Sequence, residues 1–439
     1  MSAVTKVRGI FYGWWMVFTS CFMFMTAGGI ASYGFTAFFN PILTEMNWTR
    51  AETSLAFSLR SVEGGVMMPI IGFFIDRLGA RRCIILGVVL MGIALFWLSR
   101  ISSLFSFYGA FLLMALAHTT GFGLAQQTVV MNWFKKRRSL AMGVLTAGYG
   151  VSGAMTPFLV LLIHSYGWRN SLAILSPVVI AIGFPIAMMI RHRPEPYGYL
   201  PDGEKAADPA PQSDTAQTAT NHREDSHSGT TAGVPEGPTI KECIATSTFW
   251  LLILYTVFMG FAQSAIMVHI MPALISVQIP ENIAALAVTG MTTSSLVGRL
   301  GFSWLADIYG KRRILTIAAA MVSIGVFIFA NISASWMIIP FLFFYGPGFG
   351  ATIPLLPALQ ADCFGTRTFA TLRGLMMIGF VIPGIFAPFI AGWVYDLQGS
   401  YRLTFTAFAA LCALAIPVMM RIRLPAQGAA EGTLNSPTH

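Results

Sequence analysis

The segment "GFFIDRLGARR" at residues 72–82 places an aspartate and three arginines among residues that are otherwise almost all apolar. The segment "SWLADIYGKRR" at residues 303–313 repeats the same order of aspartate, glycine and basic residues, 231 positions later. Hydrophobic residues make up 55% of the 439 residues and charged residues only 10%. Soluble domains carry about 25% charged residues, so a soluble protein with a large core is excluded.

The apolar residues form long blocks rather than an amphipathic pattern. About 18 apolar residues with few charges are enough for a helix to cross the hydrocarbon core of a bilayer. Twelve such blocks are present, at 13–38, 54–75, 83–100, 106–131, 141–163, 171–190, 249–275, 283–306, 314–332, 336–361, 374–394 and 403–420. The sequence therefore predicts an all-α membrane protein with twelve transmembrane helices.

The net charge of +9 follows the predicted topology. Basic residues cluster in alternate connections between the blocks, as the positive-inside rule describes. These clusters lie at 6–8, 77–82, 135–138, 191–193, 311–313, 367–373 and 421–423. We expect a multi-pass protein of the cell membrane with both termini in the cytoplasm. The net positive charge is then explained by basic residues on the cytoplasmic side and by their attraction to anionic lipids of the bilayer. No nucleic acid partner is expected.

The two halves of the chain are related by an internal repeat. Four pairs share the offset of 231 residues: Asp76 and Asp307, Gly148 and Gly379, Gly153 and Gly384, Pro157 and Pro388. Residues 192–242 are rich in Pro, Gly, Ser, Thr and charge, which is typical of a mostly disordered linker. The predicted domains are a six-helix bundle at 1–191, the cytoplasmic linker at 192–242, a second bundle at 243–425 and a tail at 426–439. Such a duplication favours a transport site between the halves, near the midplane.

The repeated charged segments end the second span of each half. Gly72 in the first copy allows close helix approach, and Gly79 and Gly310 can turn the chain. The aspartates can pair with nearby arginines or cap an adjacent helix. We predict gating or structural roles for Gly72, Asp76, Arg77, Gly79 and Arg81, and for Asp307, Gly310 and Arg312.

The pattern G-x-x-x-D-[RK]-x-G-x-[RK]-[RK] resembles the loop signature of the major facilitator superfamily. Within it, the chain resembles the monocarboxylate transporter family and its bacterial oxalate:formate antiporter relatives. The likeness rests on "YGWWMV" (12–17), "NWFKKRRSLAMGVLTAGYGVSG" (132–153), "GWRNS" (167–171), "VGRLGFSWLAD" (297–307) and "GWVYDLQGSY" (392–401). The resemblance implies two pseudo-symmetric six-helix bundles, alternating access for small organic anions and, in many members, proton coupling.

Arg299 is the main candidate for substrate binding. It lies eight residues before Asp307, about 12 Å into the helix at 1.5 Å per residue, where a cation is costly and should face a cavity. Thr292, Ser295, Arg299 and Ser303 follow at helical spacing and form one polar face. A guanidinium matches a carboxylate; a structural ion pair is the alternative. The resembling family has its substrate-binding arginine here, but many animal members carry an aspartate at the position of Ser295, so their proton-coupling scheme is in doubt.

Other polar residues lie inside the predicted spans. His118 can exchange a proton near neutral pH, and its counterpart Tyr345 can donate a hydrogen bond to an anion; packing is the alternative for both. Arg60 and Glu63 share one helical face, which favours a structural or gating pair, while Glu63 and His118 are the proton-coupling candidates. The predicted substrate-binding residues are Arg299, Tyr345, His118, Tyr33, Ser295 and Gln263.

No phosphate-binding loop, nucleophilic triad or metal-ligand spacing stands out, so no enzyme activity, cofactor or metal is predicted. We expect a secondary transporter of small monocarboxylates, such as lactate or pyruvate, with proton symport. Anion exchange of the oxalate:formate type is one alternative, and a non-transporting membrane anion sensor is another. Oxalate carriers of the resembling group use a lysine in the eleventh span, whereas residues 374–394 contain no basic residue and Arg373 precedes them. A single deep cation suits a substrate with one carboxylate.

Overall fold

Helices account for all regular secondary structure in the part of the protein that the structure describes. The computed structural model describes residues 11–31, 35–48, 50–194, 197, 202 and 238–422. Apolar segments in a bilayer satisfy their backbone polar groups internally by forming helices. Most of the predicted linker lies outside the described residues, so its predicted character and the domain boundaries stay predictions.

The described residues of the N-terminal half form eight α-helices. They are α1 (Tyr12–Ala31), α2 (Phe35–Met46), α3 (Arg50–Leu78), α4 (Ala80–Ser99), α5 (Leu104–Ala117), α6 (Leu124–Trp133), α7 (Arg138–Val151) and α8 (Thr156–Met189). A π-helical segment, His118–Gly123, joins α5 to α6, and a 3₁₀ turn, Ser152–Met155, joins α7 to α8. Gly167, with φ 75° and ψ 161°, divides α8 into two helices.

Eight α-helices also form the described C-terminal half. They are α9 (Ile240–Ala245), α10 (Ser247–Ser276), α11 (Glu281–Val297), α12 (Ser303–Tyr309), α13 (Lys311–Ala330), α14 (Ile338–Phe364), α15 (Phe369–Gln398) and α16 (Arg402–Arg421). A π-helical segment, Gly298–Phe302, joins α11 to α12. A capping box between Thr239 and Glu242 starts α9, inside the predicted linker.

The described helices account for the twelve predicted spans. Ten helical segments of the described chain are long and apolar enough to cross a membrane. The fifth and sixth predicted spans divide at Gly167: α7, the 3₁₀ turn and the start of α8 form the fifth, and the part of α8 after Gly167 forms the sixth. The 29-residue α3 supplies the remaining pass, although Arg60 and Glu63 lower its hydropathy. The prediction of an all-α membrane protein is confirmed.

Packing inside the two halves follows the internal repeat. A Cβ added at Gly148 of α7 would lie 2.1 Å from the carbonyl oxygen of Cys21 on α1. Gly379 of α15, at the repeat offset, packs in the same way on Ile253 of α10, where an added Cβ would lie 3.0 Å from the side chain. Because lipid provides little hydrophobic driving force between helices, small residues that permit close backbone approach favour such contacts.

The signature segments connect the two bundles to each other. Asp76 accepts hydrogen bonds from the N–H groups of Ala370 and Thr371, at 3.2 and 2.8 Å, and from the Thr371 hydroxyl at 2.6 Å. Asp307 accepts from the N–H groups of Ser139 and Leu140, at 3.1 and 2.9 Å. Each aspartate therefore caps the first turn of a helix in the opposite bundle, α15 or α7, where an anion is favoured.

Other residues of the signature segments have local roles. Gly79 and Gly310 have φ angles of 87° and 93°, a region that glycine adopts without strain, and they turn the chain after α3 and α12. Arg77 is exposed and lies over the ring of Phe73, whereas Arg81 is partly exposed. Arg312 donates to the carbonyl oxygen of Ile422 at 2.9 Å, just beyond the end of α16.

Candidate functional site

The two bundles meet at the end of the molecule that carries Asp76 and Asp307, which we call the signature end. There α3 packs along α15, and α7 packs along α12 and the π-helical segment before it. Glycines allow the helix backbones to approach closely in both seams. A Cβ added at Gly72 would lie 2.3 Å from the carbonyl oxygen of Ala370 on α15. A Cβ added at Gly143 would lie 2.1 Å from the carbonyl oxygen of Arg299. The signature end is therefore closed in this structure.

An ion-pair cluster joins the bundles on the α7 side of the signature end. Asp362, near the end of α14, pairs with Arg138 Nη1 at 2.7 Å across the seam and also with Lys311 Nζ. Arg138 is itself held in place, because its Nε donates to the carbonyl oxygen of Phe134 at 2.8 Å. The side chain of Asp362 is only 27% exposed, so solvent screens these pairs less than it would at an open surface.

A cavity of about 230 Å³ lies between the bundles beside the seam at Arg299. Both halves contribute to its wall. Phe24, Thr146 and Tyr149 come from the N-terminal half, and Ser295, Arg299 and Phe349 from the C-terminal half. Apolar walls with a few polar groups are typical of sites for small molecules, and this volume suits a small ligand.

Arg299 lies in the π-helical segment Gly298–Phe302, and the residue is only 5% exposed. Its Nη1 donates a 2.6 Å hydrogen bond to the carbonyl oxygen of Thr146 on α7, so the arginine contacts both bundles. Gly150, one turn after Thr146, makes room for the guanidinium, since an added Cβ would lie 3.1 Å from Nη1. A π-helical segment shifts the helical register and is frequent at functional sites. Here it carries a cation to the wall of the cavity.

Ser295 lies beside Arg299 on the cavity wall. The residue is 1% exposed, and its hydroxyl donates to the carbonyl oxygen of Thr292 at 2.6 Å. Thr292 also lines the cavity. Two members of the predicted polar face, together with Arg299, therefore come together at one site.

The other predicted substrate ligands are placed differently. Tyr345 is 1% exposed and lies in the core of the C-terminal half, where its ring stacks between those of Phe341 and Phe349 at 5.3 and 5.7 Å. Gln263 donates to the Thr352 hydroxyl at 3.4 Å, between α10 and α14. Neither residue is among those that line the described cavity, and Tyr33 lies outside the described residues.

A second polar cluster lies within the N-terminal bundle. Arg60 donates to the carbonyl oxygen of Ala31 at 2.5 Å and lies within electrostatic range of Glu63 and His118. Both carboxyl oxygens of Glu63 are enclosed and have no hydrogen-bond partner among the side chains that the structure describes. Arg60 and Glu63 are thus neighbours without the hydrogen-bonded pair expected from their spacing. A charge is costly on an enclosed carboxyl group without donors, which suits a group that takes up a proton.

Tyr149 connects this cluster to the cavity, although sequence reasoning assigned it no role. It lines the cavity with Arg299 and also lies within electrostatic range of Arg60. Thr146 lies three residues earlier, on the same face of α7. This spacing, inside the segment "NWFKKRRSLAMGVLTAGYGVSG", is the signal that could have identified both residues.

Arg373 differs from its predicted placement. The sequence suggested a position just before the eleventh span, but α15 already begins at Phe369. Arg373 therefore lies inside the helix, and the residue is only 8% exposed. Residues 374–394 contain no basic residue, but Arg373 is a buried cation near the signature end of the same helix, because the helix starts at the residues capped by Asp76 and not at the first apolar residue.

Comparisons with known sequences give one consistent result. A sequence model described as the Major Facilitator Superfamily matches residues 16–279 and 252–436. Monocarboxylate transporter 12 of Mus musculus is 25% identical over 435 residues, which cover 92% of this chain and 83% of that protein. The uncharacterized MFS-type transporter YcxA of Bacillus subtilis is 22% identical over 93% of this chain and 94% of its own length.

Solved structures show the same fold. The MFS transporter FucP, in the outward conformation, superposes with a TM-score of 0.68 at 17% identity, covering 93% of this chain and 98% of that chain. The proton:xylose symporter XylE superposes with a TM-score of 0.67 at 10% identity, covering 94% of this chain and 96% of that chain.

Proposed function

Because the chain belongs to the major facilitator superfamily, we propose that it is a secondary transporter that carries a small monocarboxylate together with a proton. Family membership makes it a multi-pass membrane transporter and not an enzyme. The observation that carries the proposal is the position of Arg299, a buried cation at the wall of a small cavity between the bundles. The name of the mouse relative, a monocarboxylate transporter, is consistent with this substrate class.

Charge and size favour a substrate with one carboxylate. Arg299 is the one charged residue among the described residues that line the cavity. A guanidinium binds a carboxylate through parallel N–H donors, and a monoanion would neutralise it. The apolar walls, which include Phe24 and Phe349, suit a short hydrocarbon chain. Oxalate-like dianions would leave one carboxylate among these apolar side chains, which is unfavourable.

Proton coupling is assigned to the cluster of Arg60, Glu63 and His118. Glu63 is the primary proton carrier, because its enclosed carboxyl group has no described hydrogen-bond donor. Tyr149 lines the cavity and lies within electrostatic range of Arg60, so substrate binding at Arg299 and protonation at Glu63 can influence each other through one residue. A bound monoanion neutralises Arg299 at the cavity wall, which lowers the cost of moving the bundles, while protonation of Glu63 removes its negative charge and leaves Arg60 as the cation of that cluster.

The signature end faces the cytoplasm in this proposal, as do both chain termini, in the cell membrane. Positive residues concentrate at that end. The structure is then closed towards the cytoplasm, and alternating access requires the contacts of Asp76, Asp307 and Asp362 to separate. Residues 1–191 and 243–425 are the proposed moving units, joined by the linker at 192–242.

The test is uptake of radiolabelled carboxylates into proteoliposomes, with the external pH fixed and the internal pH varied. Wild-type protein should take up a monocarboxylate faster with an inward proton gradient and should not respond to sodium. Arg299→Ala should lower uptake more than about 30-fold, because removing one partner of a buried charged contact costs about 2–5 kcal/mol. Arg299→Lys should recover little, since an ammonium lacks the planar fork.

Arg402→Gln is the matched control, since it removes an exposed cation from the same bundle. Preferred uptake of a dianion, or obligatory exchange that ignores the proton gradient, would favour the oxalate:formate type instead. Binding of carboxylates without any flux would indicate a membrane sensor.

A further inference from the structure

Arg373 is a buried cation that the proposed transport mechanism does not use. The residue is 8% exposed, and its Nη1 is enclosed without a hydrogen-bond partner among the described residues. The ion pairs found in the described part of the chain do not include it. A buried guanidinium without an anionic partner is costly, so its retention inside a transmembrane helix requires an explanation.

The direction of Arg373 places it inside the protein rather than towards lipid. Around the axis of α15, at about 100° per residue, the Arg373 side chain points about 140° away from that of Ile378 and about 180° away from that of Ile382. Both isoleucines are exposed, at 46% and 49%, as expected for a lipid-facing surface. Phe369 and Ala370, which lie within about 60° of Arg373 around the helix axis, pack within the core of the N-terminal half. Arg373 therefore faces the region between the bundles.

Gln360 of α14 lies in the same layer as Arg373. Its amide nitrogen donates to the carbonyl oxygen of Phe369 at 3.3 Å, one helical turn before Arg373. Gln360 is 1% exposed, and its amide oxygen is enclosed without a partner among the described residues. Two buried polar groups with unused hydrogen-bonding capacity thus occur at one level of α14 and α15.

This layer belongs to the closed seam at the signature end. Ala358, Ala361, Phe369 and Ala370 come from the C-terminal half, yet they pack within the apolar core of the N-terminal half. Separation of the bundles at this end would remove that cover. Arg373 and Gln360 would then line the opening between Arg299 and the solvent.

We propose that Arg373, with Gln360, forms a second carboxylate-binding position, which the substrate occupies on its way between Arg299 and the solvent at the signature end. This inference rests on the proposed function. Arg373 lies four residues into α15, about 6 Å from the helix start, whereas Arg299 lies about 12 Å from Asp307 at the same end. The two cations are therefore staggered along the path. An anion that leaves Arg299 meets a second guanidinium before it reaches bulk water, which lowers the barrier to release and raises capture from that side.

The experiment compares transport kinetics from the two faces in oriented proteoliposomes, with lactate and pyruvate as probes. Arg373→Gln should raise the KM measured from the signature face about tenfold, the effect of losing one charged hydrogen bond. The KM measured from the opposite face should stay within about twofold of wild type, because Arg299 is untouched. Arg373→Lys should recover part of the loss, since it keeps the charge.

Arg367→Gln is the matched control, because Arg367 is exposed in the connection just before α15 and its loss removes the same charge from the same end. An equal KM change in Arg367→Gln and Arg373→Gln would reduce the effect to surface attraction and overturn the proposal. Equal KM changes on the two faces in Arg373→Gln, or no KM change on either face, would also overturn the proposal. If wild-type protein transports no carboxylate, the proposed function fails first; if it does and Arg373→Gln has no sided effect, only this inference fails.

Discussion

Replacement of Asp76 by asparagine should open the signature end. The carboxylate of Asp76 accepts three hydrogen bonds from the first turn of α15: two from backbone N–H groups and one from the Thr371 hydroxyl. These bonds cross from one bundle to the other, so they exist only while this end is closed. Asparagine keeps the size of the side chain and one acceptor oxygen but removes the charge.

The expected effect follows from the lost contacts. An anion at a partly buried helix N-terminus is worth up to about 2 kcal/mol, and one hydrogen bond about 1 kcal/mol. A loss of about 2–3 kcal/mol would shift the equilibrium towards the open state about 30- to 150-fold. Thr371→Val removes only the hydroxyl bond and should shift it about fivefold.

The shift can be measured with a single cysteine at position 361, in a protein whose five native cysteines have been replaced. Ala361 is 2% exposed and packs within the core of the opposite bundle, so a cysteine there reacts only after the seam opens. A membrane-impermeant maleimide added to the signature face should label it faster in Asp76→Asn by the factor given above. Asp396→Asn, at the exposed far end of the same helix, serves as the control. Unchanged labelling in a folded Asp76→Asn protein would refute the reasoning.

Three further predictions concern the proton, the linker and pH. Glu63→Gln should make uptake insensitive to the proton gradient when the internal pH is varied, and retained sensitivity would point to His118. Deletion of 205–235 should leave transport largely intact, as its composition suggests; loss of membrane-inserted protein would contradict this. Burial, and then the charge of Arg193, lower the pKa of His192 to about 4. Its neutral ring accepts the Ala80 N–H at 3.2 Å. That stabilisation is present above the ordinary value of 6.5 and is lost as the pH falls towards 4. Thermal unfolding of the wild type should therefore shift more over this interval than that of His192→Gln.

The fold could be predicted almost entirely from hydropathy and the repeat. Long apolar blocks in a bilayer have few alternatives to helices, and the shared offset between Asp76 and Asp307 indicated two related bundles. The π-helical segments at 118–123 and 298–302 were not predicted. They depend on which carbonyl oxygen each N–H group selects, and hydropathy does not report that choice.

The candidate site could be predicted only in part. Arg299 stood out because a lone cation inside an apolar helix is costly. Thr146 and Tyr149 did not, because such residues often pack inside membrane helices and their position on the cavity wall depends on how the bundles meet. Arg373 was misplaced because a boundary drawn from hydropathy stops at a charge. The actual start of α15 depends on Asp76, 293 residues earlier than Phe369.

The two seams of the signature end are related by the repeat but differ in chemistry. Arg138 begins α7 and pairs with Asp362, whereas its counterpart at the repeat offset is Phe369, which begins α15 and is fully buried. Closure on the α7 side therefore depends on charge as well as on the helix cap, and closure on the α15 side depends on packing and the cap. Salt weakens partly exposed ion pairs and leaves apolar packing largely unaffected. A rise in ionic strength should consequently loosen the α7 seam before the α3–α15 seam, so the two seams of the signature end separate in order as salt increases.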